Sequence, residues 1–319
     1  MAVEINGILL IDKPRGMTSH DVVNRVRRLC GMRRVGHCGT LDPMAEGLLI
    51  MCLGRATRVA QFLTGLDKTY VGEIVLGQVS STYDAEGKIT PQTRPVPEDA
   101  QPIEGAMARQ LGEIAQQPPP YSAVKVRGKK LYEYARSGEE VPTKVRHVHV
   151  FDFELIRYTP PRVQFAAKVS SGTYLRSIAH DLGIEVGCGG YLSQLRRTAV
   201  GSFSVEDAVP LETLLAEPQL LDAHLLNVGQ GLAHLPKVIV PPKLEAAILN
   251  GHDFTTAEVL EFDGILIPGQ PVVVMNPIGR VLSVARADSE SSEAESRNAT
   301  LGATPMRFRP MRVLGTVNG

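Results

Sequence analysis

The stretch RVQFAAKVSSGTYLRSIAHDLG, residues 162–183, decides the fold class. Its first part alternates Val163, Phe165, Ala167 and Val169 with Arg162, Gln164, Lys168 and Ser170, the two-residue period of a strand with one covered face. Past Gly172-Thr173 the period changes. Leu175, Ile178, Ala179 and Leu182 follow the spacing of a helix that ends near Gly183 to Gly190. Strands and helices therefore mix within one domain.

Moving outward, residues 69–78 (TYVGEIVLGQ) place Tyr70, Ile74 and Leu76 on one face of a second strand. The chain opens with a short strand, Gly7 to Asp12, and the turn Lys13-Pro14-Arg15-Gly16. Thr18 or Ser19 then caps a helix whose apolar stripe is Val22, Val23, Val26 and Leu29, with Arg25, Arg27 and Arg28 turned outward. Gln116 to Pro120 begins a loop, and the Lys-, Arg- and Tyr-rich residues 121–149 read as a surface excursion. Beyond Leu235-Pro236 come short β-type runs at 264–268, 271–275 and 280–285, which predict a small β domain. The expected division is 1–235 and 236–319. Residues 287–303 (ADSESSEAESRNATLGA) lack the apolar side chains to order themselves and are expected to form a mobile loop.

With 319 residues, 43% hydrophobic and 21% charged, the composition is that of a folded globular protein rather than a disordered or fibrous one. No apolar run reaches the ~18 residues of a membrane span. Glu4 and Asp12 interrupt the N-terminus where a secretory signal needs an apolar core, so a cytoplasmic protein without membrane contact is expected. Four irregularly spaced cysteines, with no C-x-x-C, read as buried thiols rather than a disulfide framework or zinc site. The net charge is zero, yet the signs segregate. Residues 1–65 hold nine Lys/Arg against five Asp/Glu, 121–149 seven against three and 162–203 five against two, whereas 204–235 carry five acids and no base. Three basic tracts meeting on one face would grip a polyanion; scattered solvated charges satisfy the same counts.

Gly36-His37-Cys38-Gly39-Thr40-Leu41-Asp42-Pro43 is dense in residues that fix backbone shape around one carboxylate. Asp42-Pro43 equally suits the N-cap and first position of a helix over Met44–Leu49. There is no phosphate-binding P-loop, complete dinucleotide fingerprint, H-E-x-x-H or G-x-S-x-G. His20, His37 and His180 lack metal-ligand spacing, so neither metal nor cofactor is expected.

The segments DKPRGMTS (12–19), RRVGHCGTLDPMAEGLL (33–49), DKTY (67–70), PPPYSAVKVRGKKLYEYARSGEEV (118–141), SSGTYLRSIAHDLG (170–183) and YLSQLRRTAVGSF (191–203) together resemble the TruB-type tRNA pseudouridine synthases, in order and in separation. The resemblance is strong over about residues 7–210 and weaker over the C-terminal β region. It implies an α+β fold: a mixed, largely antiparallel sheet in the catalytic domain, followed by a small PUA-like RNA-binding domain. It also implies isomerisation of one T-loop uridine of tRNA to pseudouridine, by a monomer that needs no protein partner and no redox group.

On that resemblance Asp42 is the catalytic carboxylate. It traps either the sugar's anomeric carbon or the base. Arg176 pairs with Asp42; without the resemblance it is an exposed cation in a first helical turn. Tyr70 stacks on the uracil and takes the proton from the new carbon attachment point. His37 fills the gap left by the extruded uridine, and Leu195 presses on the base from the other side. Cys38 stands where the family usually has Thr. Arg33, Arg34, Lys125, Lys129, Lys130, Arg196 and Arg197 are expected to form one track for the T-arm, with loop 121–149 closing over it. Two other readings share this sequence: a tRNA-binding or tRNA-folding protein in which Asp42 only caps a helix, and a nucleoside glycosidase using Asp42 with water. Their products, unchanged RNA and free uracil, differ from pseudouridine.

If the basic tracts form one face, log affinity for tRNA falls linearly with log salt, by about one unit of slope per phosphate contact. Neutralising Lys129 and Lys130 together is expected to weaken binding and flatten that slope more than neutralising Lys237 and Lys243. Binding titrations across a salt series measure both, and equal effects would show that there is no common track.

Overall fold

The protein is seen in a computed structural model that describes residues 5–120, 145–289 and 306–315, and, for backbone only, 125–126 and 129–130. The principal strands of the first part are β1 (Gly7–Lys13), β2 (Val35–His37), β3 (Glu46–Leu53), β4 (Lys68–Leu76), β5 (Gly112–Gln116), β6 (Arg146–Thr159), β7 (Arg162–Val169), β8 (Gly190–Val200) and β9 (Val209–Pro210). They lie in one sheet in the order β9-β1-β3-β8-β4-β7-β6-β5, with β2 paired to β3 at the side. Only β1 with β9 and β3 with β8 run parallel; the remaining neighbours, β2 with β3 included, are antiparallel. The fold is thus the mixed, largely antiparallel α+β arrangement expected.

Three helices cover one face: α1 (Ser19–Cys30), α2 (Gln101–Arg109) and α3 (Leu175–Val186). Thr18 caps α1 through a capping box: its hydroxyl accepts from the Asp21 amide at 3.1 Å, and its own amide donates to the Asp21 carboxylate at 3.0 Å. Gly31 closes the helix in the left-handed conformation. Val22, Val23 and Val26 of α1 pack with Leu9, Ile11, Leu49 and Met51, while Ile8, Leu10, Leu48 and Ile50 face a second cluster with Phe203 and Val205. β1 and β3 are therefore covered on both faces and read as continuous apolar runs. β7, covered on one face, keeps the alternation seen in the sequence.

The helix entertained over Met44–Leu49 does not form. Residues 46–53 are β3, laddered against β1 from Lys13 opposite Gly47 to Gly7 opposite Leu53. Its residues 47–53 are buried throughout, and a surface helix could cover only one stripe of them.

A second sheet begins at Lys237. Its strands are β10 (Lys237–Ile239), β11 (Phe254–Thr255), β12 (Glu261–Asp263), β13 (Pro271–Met275), β14 (Val281–Ser289) and β15 (Met306–Val313), in the order β11-β15-β14-β13-β10-β12. Residues 264–268 are not a strand: Gly264 turns at φ +95 and Ile265 is 79% exposed. β14 also continues through 287–289, where a loop was expected, because Ala287 is buried and Asp288 pairs with Arg286 and Arg309. The rest of the expected mobile loop lies outside the described residues. So does most of the 121–149 excursion, in which 125–126 pair with 129–130 and nothing is described of the Lys125, Lys129 and Lys130 side chains. The second sheet meets the first part of the chain through a cluster in which Val59 and Leu232 pack with Val273, Val284 and Leu314. Among the described residues no helix is long and apolar enough to cross a membrane.

Leu49 is fully buried and Ile278 is 87% exposed. Leu49→Ala is expected to cost about 2–5 kcal/mol and Ile278→Ala less than about 0.5 kcal/mol, measured by urea denaturation.

Candidate active site

The loop between β2 and β3 is fixed residue by residue. Ser19, at the first turn of α1, accepts from the Leu41 amide at 2.8 Å and donates to the Leu41 carbonyl at 3.1 Å. The Gly16 amide donates to the Pro43 carbonyl at 2.7 Å. Gly39 turns at φ +98, a conformation that side chains disfavour. Asp42 thus emerges from a braced loop, and its side chain is 37% exposed because it lines a cavity of about 930 Å³.

Arg176 reaches Asp42 from the first turn of α3. It is 5% exposed, so the exposed-cation reading fails. Its Nε lies 2.9 Å from Asp42 Oδ2, and its Nη1 lies 3.2 Å from Asp84 Oδ2. Nη1 also donates to the Thr82 carbonyl at 3.2 Å. Asp84 is buried and accepts from the Glu86 amide at 3.0 Å and from the Thr82 hydroxyl. Nothing local marks Asp84: it stands as one acid among eight in residues 66–120, and only the folded chain brings it to Arg176. Beside it, Tyr83 adopts φ +66 and stacks on His180 at 3.8 Å between ring centroids.

Tyr70 on β4 and Leu195 on β8 line the same cavity. The sheet explains their meeting, since Leu195 lies opposite Gly72 and Arg197 opposite Tyr70 in the β8–β4 ladder. Of the expected site residues, Asp42, Tyr70, Arg176 and Leu195 therefore converge. His37 does not line the cavity; it ends β2 with its Nδ1 buried beside the Gly39 backbone. Burial, then Arg197 and His20 nearby, push its imidazole below the usual range. Arg196 is bound to Asp12 by two hydrogen bonds, 2.7 and 3.2 Å, with Glu46 at 3.5 Å. Arg197 is only 1% exposed and cannot belong to a surface track.

The charges of the cavity are out of balance with water. Burial raises the Asp42 carboxyl above the ordinary range, with Arg176 opposing and Asp84 reinforcing the rise. Burial also lowers Lys13 to about 8 and Lys68 to about 8; Lys68 lines the cavity, and Asp42 partly offsets the effect at Lys13. Cys38 and Cys52, expected as separate buried thiols, lie with sulfurs 3.3 Å apart.

The model of the TruB family of pseudouridylate synthases (N-terminal domain) matches residues 27–175, and that of the tRNA pseudouridylate synthase B C-terminal domain matches 176–241. A tRNA pseudouridine synthase B from Syntrophotalea carbinolica is 40% identical over 91% of this chain and 95% of its own. Another, from Azoarcus sp., is 42% identical over 99% of this chain and 97% of its own. Among solved structures, a Cbf5–Nop10–Gar1 complex contains a chain 27% identical, with a TM-score of 0.75, covering 98% of this chain and 86% of that one. The fold and these matches define an isomerase of RNA modification. The chain belongs to the TruB family of pseudouridylate synthases.

A carboxyl raised by the fold is destabilising while ionised: the cost is absent below the ordinary carboxylate range and complete once pH has risen through the folded value. Asp42→Asn is therefore expected to melt at or above the wild-type temperature at pH 7.5, a difference that shrinks on acidification. Differential scanning calorimetry across pH checks it; a lower melting temperature at every pH would show that Asp42 serves the fold.

Proposed function

We propose that this chain isomerises a T-loop uridine of tRNA to pseudouridine, as a monomer in the cytoplasm, with Asp42 as nucleophile. The observation that carries the reading is a carboxylate on a braced loop, aimed by a buried arginine, at the wall of a cavity of nucleotide size. The names of the relatives, tRNA pseudouridine synthase B, supply the RNA class.

Isomerisation needs the uracil detached at its glycosidic nitrogen, turned over and rejoined through carbon. Asp42 traps the anomeric carbon or the base while that bond is broken and leaves as the new one forms. Arg176 keeps the carboxylate ionised and oriented, since its forked donors fix direction as well as charge. Tyr70 stacks on the base and takes the proton displaced from the carbon that becomes the new attachment point. Leu195 bounds the cavity on another side, and His37 occupies the place of the extruded nucleotide in the RNA. Extrusion costs a few kcal/mol, which backbone contacts from Lys125, Lys129, Lys130 and Arg196 offset. In this reading, residues 1–235 carry catalysis and 236–319 form a PUA-like RNA-binding unit.

Asp42→Asn is expected to abolish pseudouridine formation on unmodified tRNA while leaving the tRNA Kd within a few fold. Arg176→Lys is expected to lower turnover more than affinity. Mass-neutral pseudouridine detection with parallel binding titrations measures both. Retained turnover in Asp42→Asn rejects the nucleophile, free uracil would reveal a glycosidase, and unchanged RNA with the wild type would leave a binding protein.

A further inference from the structure

Arg197 is one of the largest fully buried side chains, and it is a cation. No carboxylate lies within ion-pair distance of it among the described residues. A buried guanidinium is costly unless its donors are satisfied, and here backbone carbonyls satisfy them. Nε donates to Leu48 O at 2.7 Å, Nη2 to Gly39 O at 3.1 Å and Nη1 to Thr40 O at 3.5 Å. The first of these carbonyls belongs to β3. The other two belong to the loop that carries Asp42.

The entry of Arg197 is built into the sheet. Arg197 lies opposite Gly47 where β8 and β3 run parallel, and a Cβ on Gly47 would stand 2.3 Å from the Arg197 carbonyl oxygen. Glycine there lets the two strands close up beneath the loop. Ser19 grips Leu41 from the opposite side, so three consecutive residues ahead of Asp42 are held by partners from two distant parts of the chain. The charges that bear most on Asp42 are those of Arg176, Asp84 and Lys13, whereas Arg197, which also lines the cavity, makes its hydrogen bonds to the backbone before it. Its influence on Asp42 therefore runs through the placement of the loop.

We propose that Arg197 is a positioning residue for the isomerisation: by holding the carbonyls of Gly39 and Thr40 it sets the aim of Asp42, and so acts on the rate of the chemical step rather than on RNA affinity. The proposal rests on Asp42 as nucleophile. A lysine at 197 keeps the charge but cannot span Leu48, Gly39 and Thr40 at once. A misplacement of about 1 Å at a reacting group can cost on the order of a hundredfold in rate.

The test compares Arg197→Lys, Gly39→Ala and their double variant with the wild type, with Asp42→Asn alongside, by single-turnover pseudouridine formation at saturating enzyme and by tRNA binding. Gly39→Ala strains the same loop at its positive φ while its Cβ would meet only ordinary contacts, 3.7 Å from Arg197 and Lys68. Each single variant is expected to lose about tenfold or more in rate with a Kd within about threefold of wild type, and the double variant to lose less than the product of the two. Wild-type rate per folded molecule in Arg197→Lys, loss of affinity in proportion to rate, or multiplicative losses would overturn the proposal. If Arg197→Lys does not fold, Gly39→Ala decides alone: intact affinity with a lost rate supports the role, and an unchanged rate overturns it. Activity retained in Asp42→Asn would instead reject the nucleophile on which the proposal rests.

Discussion

A guanidinium 5% exposed is costly to bury unless partners meet its charge, and Arg176 meets two carboxylates. Asp84 is buried with it and tied by neighbouring donors. Asp42 is the partner that opens on the cavity. The asymmetry matters. One carboxylate anchors the arginine, so the other can face a substrate without leaving a buried cation unpaired. Every other feature of the site serves this arrangement: α3 presents Arg176 from its first turn, the 80–87 segment supplies Asp84, and the loop after β2 delivers Asp42.

The same burial that aims the carboxylate works against its charge. Protein around Asp42 raises its carboxyl, and Arg176 offsets part of the rise. Lys13 and Lys68 are pulled down toward neutrality by the same loss of water. The cavity is a place where ionisation is held by neighbours rather than by solvent, which suits the role proposed for Asp42.

Much of this was legible in the sequence. The strand-to-helix change at residues 162–183 placed β7 and α3 because a half-covered strand and an amphipathic helix leave different periods. Composition around Asp42 marked a rigid loop, and the family motifs supplied Tyr70, Arg176 and Leu195. What failed did so for physical reasons. Residues 46–53 are apolar on both faces, and periodicity does not separate a doubly covered strand from a buried helix segment. Asp84 carries no local signature, since its meaning comes from Arg176 across ninety-two positions of chain. Arg197 looked like one more cation in a basic tract, and only its depth separates it from Arg196 beside it.

The parallel pairing of β3 with β8 joins Gly47 to Arg197, residues 150 positions apart. Closing so long a loop costs entropy before any contact rewards it, so such pairings tend to form late. The braces of the Asp42 loop come from α1 near the start of the chain and from β8 near residue 200. During synthesis, then, the carboxylate is made well before the second of these braces exists. A chain interrupted before β8 would carry Asp42, Ser19 and Arg176 but neither Leu195 nor the Arg197 contacts, so the site is completed only with most of the first sheet.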